Sequence, residues 1–343
     1  DAAESFLSEL YSGSRVFLTP SGTAALELSA LLFNFGPNDE VIMPSYTFVS
    51  TANAFALRGS KIIFVDINQD TLNIDAQAVR EVITSKTKAI VTVDYGGIGP
   101  DYDSLVDISL EYNVILITDS AQSIGAHYKK RPLASFGSVG CLSFHATKNI
   151  HCGEGGALVI NDQNLIEQVE IIREKGTDRS KFSRGEVDKY TWRSLGSSFL
   201  LNELSAAFLF AQLQSLEDIT NHRRKVFFEY FEFFKKIDRI KNIKAFSNEP
   251  KNFKTNGHMF FLNFANSEEC ERFKKYMWRR KIKVASHYVP LHKTEMGMKY
   301  GTFNRLLENT ENLENTLVRL PIWSKSTPFK KVINSLESYK FES

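Results

Sequence analysis

The chain has 343 residues, 43% of them hydrophobic and 24% charged, a balance that suits a globular protein with a large core and excludes a disordered or collagen-like chain. Its 42 lysines and arginines against 40 aspartates and glutamates leave a formal charge of only +2, which gives no basis for gripping a nucleic acid backbone. The three cysteines, Cys141, Cys152 and Cys270, are too few and too scattered for a disulfide framework or a cysteine-rich metal site, so a reducing cytoplasm is the expected setting. No apolar run approaches the roughly 18 residues of a membrane span. The opening DAAESFLSEL does not read as a signal peptide, and no membrane partner is expected. Because the sequence starts at Asp1 rather than Met, a short upstream segment is expected.

In chain order, PSGTAALELSALLF at 20–33 predicts a helix with Ser21 near its start. Apolar, partly β-branched runs follow at 41–43, 61–65, 89–93, 115–118, 141–144 and 157–160, as expected of strands covered on both faces. Helical patterns at 51–59, 76–84 and 101–112 separate several of them. Such alternation predicts an α/β fold with a mostly parallel sheet and helices on both faces. Longer helical runs at 162–175 and 203–237 come next. After the polar stretch FSNEPKNFKTNG come HMFFLNF at 258–264, a helix near 267–279, KVASHYV at 283–289 and a last helix near 327–340. The pattern predicts a large domain over 1–225 and a smaller C-terminal α+β domain over 226–343.

Lys148, in CLSFHATKNI, follows closely behind a buried strand. Desolvation of an ammonium lowers its pKa and frees an amine for a Schiff base with an aldehyde, although by position alone an ordinary surface lysine fits as well. Asp119 and Gln122, in TDSAQ, stand just beyond an apolar run, where open parallel sheets bind ligands. A carboxylate there can keep a pyridine nitrogen protonated, or it can simply cap a helix. Ser21, Gly22 and Thr23 open the first helix and offer free N–H groups, the positive end of the helix dipole and hydroxyls to a phosphate; an ordinary helix cap needs no more. The seven histidines show no metal-ligand spacing, and nucleotide-binding glycine loops and a G-x-S-x-G elbow are absent.

Taken in order, PSGTAALEL, MPSYTFVSTANA, TDSAQ, SFHATKN and GEGGALV are similar to the motifs of the DegT/DnrJ/EryC1/StrS family of sugar aminotransferases, over nearly the whole chain. The resemblance implies fold type I of the enzymes that use pyridoxal 5'-phosphate (PLP), with a mixed seven-stranded sheet in the large domain. It puts the PLP Schiff base on Lys148 and the pyridine-nitrogen partner at Asp119, with Phe48 on the ring face and Gln122 on the ring-hydroxyl side. Gly22, Thr23 and Ser143 would hold the phosphate. It also implies pyridoxamine phosphate as the second cofactor form and a homodimer with shared active sites. Ser198 takes the place of an asparagine that reaches the neighbouring subunit's phosphate, and Asp94 stands where a histidine is more usual.

Three longer segments, EVIMPSYTFVSTANAF, IIREKGTDRSKFSRGEVDKYTWRSLGSSFL and HYVPLH, bring the chain nearer to members that aminate C-4 of a dTDP-4-keto-6-deoxyhexose with L-glutamate as donor. Such a product would serve lipopolysaccharide or another cell-surface glycan. Tyr95, Arg179, Lys181, Arg184, Tyr190, Trp192, His287 and His292 are candidates for the dTDP-linked keto sugar, because they join aromatic surface to donors suited to pyrophosphate and hydroxyls. A charged, solvated helix face followed by packed aromatics explains several of them equally well. Amination at C-3 of a 3-keto sugar and a non-catalytic nucleotide-sugar-binding regulator are the alternatives. A dehydratase of the family would carry histidine in place of Lys148.

Overall fold

A computed structural model describes residues 1–237, 242–322, 329–339 and 341. Fourteen strands are described in chain order. The first five are β1 Arg15–Thr19, β2 Glu40–Pro44, β3 Lys61–Val65, β4 Thr87–Val93 and β5 Ile115–Asp119. There follow β6 His127–Tyr128, β7 Arg131–Pro132, β8 Val139–Ser143, β9 Gly156–Ile160 and β10 Ile243–Phe246. The last four are β11 Phe253–Lys254, β12 Phe260–Phe264, β13 Gly301–Thr302 and β14 Leu317–Leu320.

The main sheet has eight strands in the order β1-β9-β8-β5-β4-β2-β3-β13, and β9 alone runs against the rest. Seven of these match the expected large sheet; the eighth is the two-residue β13, which pairs Gly301 with Ile62 and Thr302 with Ile63. At the opposite edge the side chain of Glu4, on the N-terminal helix Ala2–Leu10, accepts a hydrogen bond from Leu18 N–H of β1 at 2.9 Å. The long apolar runs are strands because helices bury both faces. Phe17, Leu28, Val41, Val91 and Ile117 belong to one core cluster, and Ile42, Ile90, Leu105 and Leu116 to another.

The helix predicted at 20–33 spans Gly22–Leu32, and the Oγ of Ser21 accepts from Ala24 N–H at 3.0 Å as its cap. The helical run at 203–237 is two helices, Glu203–Leu213 and Leu216–Lys236. The latter extends into a second core with the three-stranded sheet β10-β12-β14 and the helices Ser267–Arg279 and Phe329–Glu337, built on Phe227, Tyr230, Phe234, Phe260 and Phe273. Residues 327, 328 and 340 of the predicted last helix lie outside the described residues. KVASHYV forms no strand; its Ala285 makes an isolated bridge to Arg319 of β14.

Asp66, just past β3, joins the large sheet to the C-terminal part. Its Oδ1 accepts from Thr310 N–H at 2.9 Å and from the Thr310 hydroxyl at 2.8 Å, and its Oδ2 accepts from Asn309 N–H at 3.0 Å. These donors open the helix Glu308–Leu313, so a buried carboxylate supplies from a distance the cap that a local residue usually provides. Asp66→Ala is expected to destabilise the protein by about 2–3 kcal/mol, since it leaves several buried donors unmatched; a shift of the urea midpoint measures it.

Candidate active site

Chain turns at the C-terminal ends of β1, β2, β4, β5 and β8 meet around a cavity of about 410 Å3, a size that suits a small ligand. Gly22, Thr23, Phe48, Asp119, Gln122, Ser143, Lys148 and His287 all line it. A more open depression of about 1160 Å3 elsewhere is lined by a mixture of acids and bases, among them Asp70, Asp103, Arg80 and Lys129.

One end of the cavity is the start of the helix Gly22–Leu32. Ser21 engages the N–H of Ala24, which leaves the N–H groups of Gly22 and Thr23 without an intrahelical acceptor. The Thr23 and Ser50 hydroxyls lie 2.7 Å apart beside them. The helix start sits unusually close to the sheet: a Cβ on Gly22 would lie 2.8 Å from Ser143 Cβ, and one on Gly156 would lie 2.4 Å from the Ser21 carbonyl. Two absent side chains thus bring free amides and the Ser143 hydroxyl to one point, a cradle that fits a phosphate.

Asp119, the last residue of β5, is buried. Its Oδ2 accepts from the Thr51 hydroxyl at 2.7 Å and its Oδ1 from Ala121 N–H at 3.2 Å. Burial pushes the carboxyl pKa up, while these two hydrogen bonds and the charge of Lys148 pull it back. Gln122 is held at both ends, accepting from Gly96 N–H at 2.8 Å and donating to the Tyr288 hydroxyl at 3.1 Å. Phe48 is 54% exposed at the cavity, a bare aromatic face free to cover a ring.

Lys148 lies in the loop after β8, where its N–H donates to His145 C=O at 2.8 Å. Desolvation lowers its pKa, Asp119 opposes that, and the positive charge of Arg319 adds to it. Its neighbour Asn149 donates to Asn256 C=O at 3.1 Å and meets His258 Nδ1 at 3.0 Å. Asn256 in turn donates to the carbonyls of Gln122 and Ile124 at 2.8 and 2.9 Å. The segment before β12 is therefore bonded to both the lysine loop and the Gln122 loop.

The C-terminal part supplies His258, His287, Tyr288 and Arg319 to the same cavity. Burial, with Arg319 and Lys148 nearby, drives the His287 pKa down to about 2, and the same influences hold His258 well below its usual range. Both rings are neutral. Tyr95 is buried behind His287, its hydroxyl 2.8 Å from Nδ1.

The remaining candidates stand elsewhere in the chain. His292 is buried between Ser45 Oγ at 2.7 Å and Glu311 Oε1 at 3.3 Å. Arg179 lies 4.0 Å from Glu174, Lys181 pairs with Glu167 at 2.6 Å, and Arg184 pairs with Glu170 at 3.0 Å and Glu186 at 2.5 Å. Tyr190, Trp192 and Ser198 are exposed. None of these lines the cavity of its own chain. Asp94 lies beneath the cavity, fully enclosed, with the hydroxyls of Tyr102, Ser120 and Ser123 donating to it at 2.5, 2.6 and 2.8 Å. Thr51, Asn256, His258, Tyr288 and Arg319 escaped the motif reading. Thr51 lies inside MPSYTFVSTANA and Tyr288 inside HYVPLH, so these two were within reach of it.

A helix-start phosphate cradle, a buried carboxylate and a desolvated lysine at the edge of a mixed sheet define a PLP-dependent transferase of fold type I. The sequence profile of the DegT/DnrJ/EryC1/StrS aminotransferase family matches residues 4–337, and the chain belongs to that family. An uncharacterized protein of Methanocaldococcus jannaschii is 30% identical over 332 residues, 92% of this chain and 83% of that protein. Among solved structures, the aminotransferase TlmJ of Streptoalloteichus hindustanus superposes with a TM-score of 0.87 at 25% identity, over 98% of this chain and 90% of that one. PseC of Helicobacter pylori, an aminotransferase involved in the biosynthesis of pseudoaminic acid, gives 0.85 at 25% identity, over 98% and 91%. This chain is an aminotransferase whose cofactor is PLP, with pyridoxamine phosphate as its other form.

Desolvation raises the Asp94 pKa to about 6 against an ordinary 3.8, despite its three donors. Between these values the folded protein binds the proton that the unfolded chain has released. On this group's account stability therefore falls as pH rises from about 4 to about 6 and is level above, by on the order of a few kcal/mol. The difference in urea midpoint between Asp94→Asn and the parent, followed from pH 4 to 7, is expected to change across that window and to flatten above it.

Proposed function

We propose that this chain transfers an amino group from L-glutamate to C-4 of a dTDP-linked 4-keto-6-deoxyhexose, the activity of a dTDP-4-amino-4,6-dideoxygalactose transaminase. We place it in the cytoplasm, on the way to a lipopolysaccharide or other cell-surface glycan. The observation that carries the reading is the meeting of Lys148, Asp119 and the Gly22 helix start in one cavity. The C-4 assignment is supported by the HYVPLH segment, which brings His287 and Tyr288 to that cavity, and by the long match over 171–200.

In this reading the N–H groups of Gly22 and Thr23 and the Ser143 hydroxyl bind the phosphate, Phe48 covers one ring face, and Gln122 stands on the ring-hydroxyl side. Bound there, PLP supplies an electrophilic carbon and a ring that stores an electron pair. Asp119 holds the proton of the pyridine nitrogen, a role that fits a carboxyl whose proton affinity is raised by burial. Lys148, its own proton affinity lowered, takes the Cα proton of the donor in the first half-reaction and delivers a proton to the sugar carbon in the second. His287 faces the sugar, Tyr95 orients its ring from behind, and His292 fixes the loop of His287 through Ser45.

Ser198, Arg179, Arg184 and Tyr190 are assigned to the cavity of a second copy in a homodimer. Their absence from the lining of the cavity in their own chain supports this, as do the exposed Tyr190, Trp192, Leu204 and Phe208. We place the boundary between the domains at residue 225, within the helix Leu216–Lys236.

Lys148→Ala is expected to abolish turnover and to lose the cofactor mass that borohydride fixes to the parent protein; near-normal turnover would sink the assignment. Asp119→Asn should stay folded and slow the glutamate half-reaction, followed by absorbance, about 100-fold or more. NMR of the product from dTDP-4-keto-6-deoxyglucose, L-glutamate and the protein decides the carbon. An amine at C-4 bears the proposal out, whereas turnover of only the 3-keto isomer replaces it with C-3 amination.

A further inference from the structure

The bonds around His258 decide which of its two ring nitrogens carries hydrogen. Asn149, next to Lys148, donates through Nδ2 to Asn256 C=O at 3.1 Å. A carbonyl only accepts, so the Asn149 amide has one orientation, and its Oδ1 is the atom 3.0 Å from His258 Nδ1. That oxygen only accepts as well, hence Nδ1 carries hydrogen and donates. Asn256 is fixed in the same manner. Its Nδ2 donates to the carbonyls of Gln122 and Ile124 at 2.8 and 2.9 Å, and its Oδ1 accepts from the backbone N–H of His258 at 3.0 Å.

Burial and the nearby charges of Lys148 and Arg223 hold this imidazole well below its usual pKa, so it carries a single ring hydrogen. With that hydrogen on Nδ1, Nε2 keeps its lone pair. The ring lines the cavity, and its Nδ1 edge is turned to Asn149. Nε2 has no hydrogen-bond partner among the described residues and, unlike Nδ1 of His127 and His151, is not sealed in the interior. The wall around it mostly donates. Lys148, the free amides of Gly22 and Thr23 and the Tyr288 hydroxyl, which accepts from Gln122 and has its own hydrogen to give, all present hydrogens. Asp119 accepts, but both its oxygens are engaged by Thr51 and Ala121. The phosphate, carboxylate and keto oxygens of ligands thus find partners there, whereas a ligand hydroxyl needs an acceptor. His258 Nε2 is an acceptor that brings no charge.

We propose that His258 is a specificity-determining residue whose Nε2 accepts a hydrogen bond from the sugar hydroxyl next to the keto carbon. The ring feels the charge of Lys148, which places it near the carbon on which that lysine acts. In a 4-keto-6-deoxyhexose, C-5 carries the methyl group and the ring oxygen, so the C-3 hydroxyl is the one neighbour able to donate. L-Glutamate has no hydroxyl, and its amine sheds hydrogen in order to react. A sugar without the C-3 hydroxyl leaves Nε2 unmatched in a site poor in water, and sites built on such a bond discriminate against the analogue that lacks it. The Asn149 and Asn256 amides supply the precision, because they hold the ring in one orientation and one tautomer. The inference rests on the reading of the substrate as a dTDP-linked 4-keto sugar.

The test compares dTDP-4-keto-6-deoxyglucose with its 3-deoxy analogue on the PLP-loaded parent and on His258→Asn and His258→Phe. Asparagine keeps a donor for Asn149 and removes Nε2, whereas phenylalanine removes both nitrogens. The parent is expected to favour the hydroxylated sugar about 30-fold or more in kcat/KM, and that ratio to fall to about threefold or less in both variants. A merely structural role of His258 would slow both sugars alike and leave the ratio standing. Nitrogen NMR of the PLP-loaded protein with labelled histidine, in which the His258 signals are those missing from His258→Asn, should show hydrogen on Nδ1 and a bare Nε2. Hydrogen on Nε2, a parent ratio near one, or a ratio that survives in the variants would each overturn the assignment while leaving the C-4 activity in place. No turnover of dTDP-4-keto-6-deoxyglucose by the parent would overturn the C-4 reading and this inference together.

Discussion

An amine is a useful nucleophile and base near neutral pH only where water is kept from its charged form, and the architecture of this chain follows from that requirement at Lys148. The lysine sits on a loop after β8, at the open edge of a sheet, a position that by itself would be wet. What dries it comes from more than a hundred residues further on, in His258, His287, Tyr288 and Arg319. The small antiparallel sheet and its phenylalanine-rich core are therefore the support of a roof. The roof is tied down near the lysine itself, through Asn149, Asn256 and the Gln122 carbonyl.

The charges under that roof are unevenly arranged. At one end, helix amides and hydroxyls face a cradle shaped by two glycines; in the middle, a carboxylate is held by Thr51; and on the roof, the Nε of Arg319 is buried without a hydrogen-bond partner among the described residues. His258 and His287 between them are neutral, so they donate or accept one hydrogen bond without adding charge. An aminotransferase must admit two chemically different substrates in turn, an amino acid and a sugar. A site in which polar neutral groups surround a few fixed charges suits that alternation better than one lined with salt bridges.

Much of this was legible in the sequence because it is local. Phosphate-binding helix starts, acids at strand ends and a lysine shortly after a strand are short-range patterns, and the strands that carry them are long apolar runs. The structure placed Gly22, Thr23, Phe48, Asp119, Gln122, Ser143 and Lys148 together. What stayed hidden depends on contacts over long separations. Arg319 is an unremarkable arginine in LVRL until β14 pairs with β12 and turns it to the cavity, and Asn256 lies in a polar stretch that reads as a plain loop. The same cause explains the elements left unread. β13 is two residues whose only reason to be a strand is the exposed edge of β3, and the edge strand β1 is a short run after a helix whose Glu4 it needs. Arg179 and Arg184, by contrast, have local partners in Glu174, Glu170 and Glu186, where charge pattern alone could not separate a substrate contact from an ion pair on a helix surface.

Those two edges have a bearing on how copies of the chain can meet. A long sheet with open sides invites strand-to-strand pairing with a neighbour, the route by which many α/β proteins associate or aggregate. Here one side ends in the two-residue β13, which comes from far along the chain, and on the other a glutamate takes an outward donor of β1. A two-residue edge strand at one margin and an engaged donor at the other leave little for sheet extension, so contact between copies would fall to side chains on helices and loops. Trp192, Leu204 and Phe208 already stand out from that surface.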